Sequence, residues 1–132
     1  MKVGMAIYQL IDNASATVKV SGRIYPEQAP DGAATPYIVY TVLSNQPYDD
    51  KGRTPIDEAN VEIITVSSTY GGCMKTADAV RDAIDRKSAT VTDNNLGTIN
   101  VQSIRYTNET TEISDDRKLY AAIQEYTIRI TR

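Results

Sequence analysis

The chain has 132 residues, 41% hydrophobic and 23% charged, the balance of one ordinary folded domain, and no apolar run nears the roughly 20 residues that cross a bilayer. It has a formal net charge of −3, no His, Trp or Phe, and a single cysteine, Cys73. These counts exclude an intrachain disulfide, a zinc site built on imidazoles or paired thiolates, and every catalytic arrangement that needs a histidine base.

Val3, Ile7, Leu10, Ile11 and Ala14 recur at three- and four-residue spacing and predict an amphipathic first helix, with Gln9, Asp12 and Asn13 on its polar side. Lys2 leads into Gly4, Gln9 and Asp12 rather than a continuous apolar stretch, so the start does not read as a secretory signal. Residues 21–36 contain Gly22, Pro26, Pro30, Asp31, Gly32 and Pro36, which predicts an extended, irregular connection with Ile24 and Tyr25 turned inward. Tyr37 to Leu43 and Ala59 to Ser67 are rich in β-branched and aromatic residues and read as a hairpin of two strands. The polar segment between them, Ser44 to Glu58, reads as a long loop. After Gly71 and Gly72, the residues Met74, Ala77, Val80, Arg81 and Ile84 mark a second helix. Two more strands come next, near Thr98 to Thr107 and Lys118 to Thr131, separated by the polar run Asn108 to Arg117.

The expected architecture is a single α+β domain over residues 1–132, in the order α-β-β-α-β-β. It is a two-layer sandwich with both helices on one face of a mostly antiparallel four-stranded sheet.

The last hairpin has a further feature. Apolar positions run Ile99, Val101, then Ile104, Tyr106 in one strand, and Leu119, Ile123, then Tyr126, Ile128, Ile130 in the other, so parity changes in both. Pairing Tyr106 with Leu119 and Ile104 with Ala121 sets Ile99 opposite Tyr126 and brings the two changes to one height. Bulges inside the monomer are one explanation. The other turns Ile104, Tyr106 and Leu119 away from the core as an apolar patch at the hairpin tip, to be covered by another subunit.

Residues with chemical potential have plainer readings. Cys73 follows two glycines at a helix start, but without a base to activate it the thiol reads as a small residue under the helix. Gly71 to Thr76 ends in Lys75-Thr76, yet Ser67 stands where a phosphate loop needs its first glycine. Asp49, Asp50, Asp57 and Glu58, and the pair Asp115 and Asp116, lack the alternating ligand pattern of a calcium loop. No catalytic, metal or cofactor site is expected.

The order of features is informative as a whole: a first helix, Gly22-Arg23-Ile24-Tyr25-Pro26, Ala34-Thr35-Pro36-Tyr37-Ile38-Val39-Tyr40, the strand Val61 to Val66, and Ala77-Asp78-Ala79-Val80-Arg81-Asp82-Ala83-Ile84. Across nearly the whole chain this resembles the phage tail completion family, also described as tail terminator or tail-to-head joining proteins. The resemblance implies a structural, non-enzymatic protomer of the virion tail or neck, assembled in the host bacterial cytoplasm. It implies a ring, hexameric in the virion, that caps the tail tube and meets a head connector or head completion protein, with DNA passing through without sequence-specific binding. The alternatives are another phage neck or minor tail protein, or a small-molecule-binding α+β domain. Candidate subunit contacts are Ile104, Tyr106 and Leu119 on the hairpin, with Asp49, Asp50, Lys51, Arg53, Glu109, Glu112, Asp115 and Asp116 in the two polar segments. The segment around Gly71-Gly72-Cys73 departs from the family's usual pattern and leaves the start of the second helix open.

Overall fold

The computed structural model describes residues 2–12, 20, 22–47, 56–93, 97–114 and 118–131. In chain order its elements are α1 (Lys2–Asp12), β1 (Ile24–Pro26), β2 (Tyr37–Pro47), β3 (Ile56–Ser67), α2 (Tyr70–Ile84), β4 (Ala89–Asp93), β5 (Gly97–Ile113) and β6 (Tyr120–Thr131). The described residues form one six-stranded sheet in the order β1-β2-β3-β6-β5-β4. β1 runs parallel to β2 and the other neighbours are antiparallel.

This corrects the expected four-stranded sheet and its α-β-β-α-β-β order. The two additional strands are short edges. β1 has 3 residues between turn-forming segments, and β4 has 5 in a stretch that separates α2 from β5. Neither is long enough to show an alternating pattern in sequence.

Strict alternation along β6 places the core. Ala122, Gln124, Tyr126, Ile128 and Ile130 are buried, as are Ala59, Val61, Ile63 and Thr65 on β3. Over this face lie Val3, Ala6, Ile7 and Ile11 of α1 and Ala79, Val80 and Ile84 of α2, in one continuous cluster. α1 touches β1 and β2 near one edge and also β4 and β5 near the other, so the sheet curls around it as a half-barrel. Gln9 Nε2 donates to the Thr92 carbonyl at 2.9 Å and ties α1 to the β4 edge.

Strand β5 also corrects the expected hairpin register. Tyr106 lies opposite Tyr126, Ile104 opposite Ile128 and Val101 opposite Ile130, while Ile113 pairs with Tyr120. The hairpin is therefore longer than expected, and the polar run from Asn108 to Ile113 is strand. β5 has bulges between Val101 and Ser103 and between Tyr106 and Asn108. Each inserts a residue and reverses the facing of the strand beyond it, which produces the parity change. Ile104 is accordingly 1% exposed, in the same core as Ile99, Val101, Tyr126 and Ile128, not turned away from it. β6 has no such break. Ala121 and Ile123 simply face the other side, in line with Val66 and Ile64 of β3 and Tyr37 and Val39 of β2.

The expected loop Ser44 to Glu58 is shorter as well. Ser44 pairs with Asn60 and Pro47 with Asp57, extending both strands, and the remainder between Pro47 and Ile56 lies outside the described residues.

Candidate assembly surface

The far end of the β5–β6 hairpin rests on a thin core. Beneath it Cys73, Ala77 and Ala122 form a small cluster separate from the main one, flanked by Met74 and Tyr120. Side chains this small leave the larger residues above them partly uncovered. Tyr70, in the first turn of α2, is 57% exposed and meets Tyr120 edge-on at 5.9 Å. Ile113, the last residue of β5, is 56% exposed. Tyr70, Met74, Ile113 and Tyr120 line a groove of about 340 Å³ on the helix side of the tip, with Glu112 on its margin. On the other side, Tyr37, Val66 and Leu119 line a hollow of about 240 Å³ that shares Ile113 and Tyr120. Apolar side chains thus line both faces of the tip, and the exposed Glu112 borders both hollows.

Its geometry is fixed locally. The Ser114 N–H donates to the Leu119 carbonyl at 2.9 Å, and the Leu119 N–H donates to Ser114 Oγ at 3.1 Å. Below, α2 starts at Tyr70 because Thr69 is its N-cap, accepting from the Gly72 N–H at 3.1 Å. Gly71-Gly72-Cys73 is therefore the first turn of the helix. Cys73 is fully buried, its thiol donates to the Thr65 carbonyl at 3.4 Å, and burial pushes the thiol above its ordinary value. In that position the thiol packs against Ala77 and Ala122.

The sequence-predicted contact residues are scattered. Leu119 is at the tip, half-buried. Glu112 is exposed beside it, and Glu109 is exposed and accepts from Gln124 Nε2 at 2.9 Å. Ile104 and Tyr106 are elsewhere. Tyr106 is held edge-on to Tyr126 with ring centroids 5.7 Å apart and lies under the Arg81 guanidinium at 3.8 Å, and its partial burial raises its phenol above the ordinary value. Asp49, Asp50, Lys51, Arg53, Asp115 and Asp116 lie outside the described residues. Sequence patterning does not single out Tyr70, Met74, Ile113 and Tyr120 as neighbours. It offers one signal: Ile113 is the single aliphatic residue in the polar run from Asn108 to Arg117.

Among the described residues, no three His, Cys, Asp or Glu side chains gather where they would hold a metal ion. What the tip offers is desolvation area and rigid aromatic surface, the materials of a protein contact.

The whole architecture is found in a virion. A chain from "Virion of native gene transfer agent (GTA) particle" superposes with a TM-score of 0.72 at 14% identity, over 96% of this chain and 92% of that one. No curated protein sequence matches significantly. The profile of the family described as Tail completion protein gp17 matches residues 5–131, and the chain belongs to that family. It is thereby a structural protein of phage tails and a component of the virion.

Proposed function

We propose that the protein forms a ring, hexameric in the particle, that closes the finished tail tube and presents its other side to the head connector. It acts by binding copies of itself and two unlike partners, with no catalytic turnover. The observation that carries this reading is the hairpin tip, where Tyr70 and Ile113 are each more than half exposed over a rigid, largely apolar groove. Exposed apolar surface of that kind is stabilised when a partner covers it. In a ring each copy offers one surface and receives a different one, so the contact repeats until the circle closes. Membership in the tail completion family supports placing such a contact in the tail.

The test is a particle preparation made without this chain. Electron microscopy should show filled heads and separate tails of uncapped or irregular length, and purified protein added back should restore joined particles. Joined particles of normal yield in its absence would refute the proposal.

A further inference from the structure

The same hairpin carries a second surface well away from its tip. Arg86, Ser103, Ile104, Arg105, Thr127 and Arg129 line a cleft of about 420 Å³. Arg105 sits opposite Thr127 and Ser103 opposite Arg129, so β5 and β6 supply one wall together. The remaining side is Arg86, in the turn between α2 and β4.

Two features set this cleft apart from an ordinary solvated surface. First, three guanidiniums share it while, among the described residues, only Arg129 has an acidic partner, Glu58 at 2.8 Å. Arg86 and Arg105 are exposed and form no ion pair among the described residues. Second, Arg86 has φ of 59°, the left-handed region that favours glycine just past a helix end. Its N–H donates to the Ile104 carbonyl at 2.7 Å, which locks the turn onto β5. An arginine there costs about 1 kcal/mol relative to a relaxed backbone. The fold retains a guanidinium where its own backbone prefers glycine.

Planar, forked guanidiniums beside hydroxyls bind carboxylates or phosphates. The surroundings discriminate between these. On the same outer face, Glu58 pairs across to Arg129, and Glu62 stands opposite Glu125 two rows further along. A nucleic-acid backbone running over this face would meet Glu58 against Arg129 and, roughly 7 Å along the strand from the row of Arg105, Glu62 and Glu125. A short acidic segment entering the cleft alone would not.

The chain itself carries a carboxylate so placed. Glu112 is exposed on the outer side of the hairpin tip, and Asp115 and Asp116 come soon after it in sequence. Glu112 cannot reach its own cleft, because it lies six paired positions along the hairpin from Arg105, roughly 20 Å at about 3.4 Å per position. Only another molecule can bring the two together. We propose that the arginine cleft is the socket that receives the acidic side of a second copy's hairpin tip, a head-to-tail contact that rests on the ring reading above. Each copy then uses its tip on one neighbour and its cleft on the other.

The test is sedimentation velocity of the full chain over a concentration series, at low and high salt. The variants are Arg86→Gly, Arg105→Glu and the swap Arg105→Glu with Glu112→Arg. Wild type should associate, less so in high salt. Arg105→Glu should weaken association about tenfold or more, as expected for reversing a charge in a paired contact, and the swap should recover most of it. Arg86→Gly should weaken association while melting at the same or a higher temperature, which separates a lost socket from a damaged fold. Association of both single variants at wild-type strength would overturn the socket and leave the ring reading standing. A wild type that stays monomeric at every concentration would overturn the socket, while the ring reading, which concerns the particle, stands or falls on the preparation made without this chain. A labelled 20-bp duplex (roughly two turns of B-DNA) serves as the competing probe. If wild type binds it, both single variants lose it and self-association is unchanged, the cleft serves a phosphodiester and the socket is refuted.

Discussion

The guanidinium of Arg81 lies 3.8 Å from the ring centroid of Tyr106 and joins α2 to β5 where the second bulge begins. Asp85 completes the joint: it accepts from Arg81 Nε at 3.3 Å and from the Tyr106 N–H at 3.1 Å. Tyr106 in turn leans on Tyr126, so its ring closes the side of the core. Ile104→Ala should therefore cost about 3 kcal/mol and Tyr106→Ala about 2 kcal/mol of the isolated chain's stability. Urea unfolding measures this directly. A Tyr106→Ala protein with an unshifted midpoint would mean that this ring contributes nothing to the monomer.

The first turn of α2 predicts opposite outcomes for adjacent glycines. A Cβ on Gly72 would lie 2.7 Å from Thr69 Oγ1 and 3.1 Å from Ser67 Oγ, so Gly72→Ala displaces the capping hydroxyl and should cost about 1 kcal/mol. A Cβ on Gly71 meets nothing within 4 Å, and Gly71→Ala should be neutral or stabilising by up to about 1 kcal/mol. Thermal melts of the two variants should shift in opposite directions, or at least differ in this order; equal losses would contradict the cap geometry.

Tyr126 makes the fold sensitive to alkali. Its hydroxyl is buried with no hydrogen-bond partner among the described residues. Burial, with a smaller push from Asp85, holds its phenol far above the ordinary 10.0. The folded state thus binds this proton more tightly than the unfolded chain does, so its contribution is complete below pH 10 and is lost as pH rises beyond it. Tyr126→Phe should be neutral or stabilising by about 1 kcal/mol at neutral pH, since it removes an unpaired buried hydroxyl. It should also flatten the decline of stability above pH 10, with a remainder from Tyr40 and Tyr106, which are raised as well. A Phe variant with the same alkaline slope as wild type would count against this account.

Much of the fold is legible in the sequence because it rests on periodicity. The α1 face of Val3, Ile7 and Ile11, the α2 face of Ala77, Val80 and Ile84, and the alternation of Val61, Ile63 and Thr65 all emerge as buried faces. The edge strands are not legible: Ile24–Pro26 and Ala89–Asp93 are held by their neighbours rather than by a pattern of their own. The parity change is visible but its cause is not, because a bulge and a second partner leave the same trace in one strand. Pairing decides between them, and it puts Ile104 opposite Ile128. The candidate surface is legible only in part. Leu119 and Glu112 are at the tip, whereas Tyr70 reaches it from 43 residues earlier than Ile113, a juxtaposition that only the α2–β6 packing creates.

The most direct measurement is on Ile113→Asp. The side chain is 56% exposed at the end of β5 and contributes little to the monomer's core, so the variant should melt within about 1 kcal/mol of wild type. A carboxylate there would be desolvated in any contact that covers the tip, which is costly unless it is paired. Supplied to particles lacking the wild-type chain, a folded Ile113→Asp protein should restore joined heads and tails at a tenth of the wild-type yield or less, taking about 1.4 kcal/mol or more as the loss per contact. Wild-type yield from that variant would contradict the claim that the hairpin tip is an assembly contact.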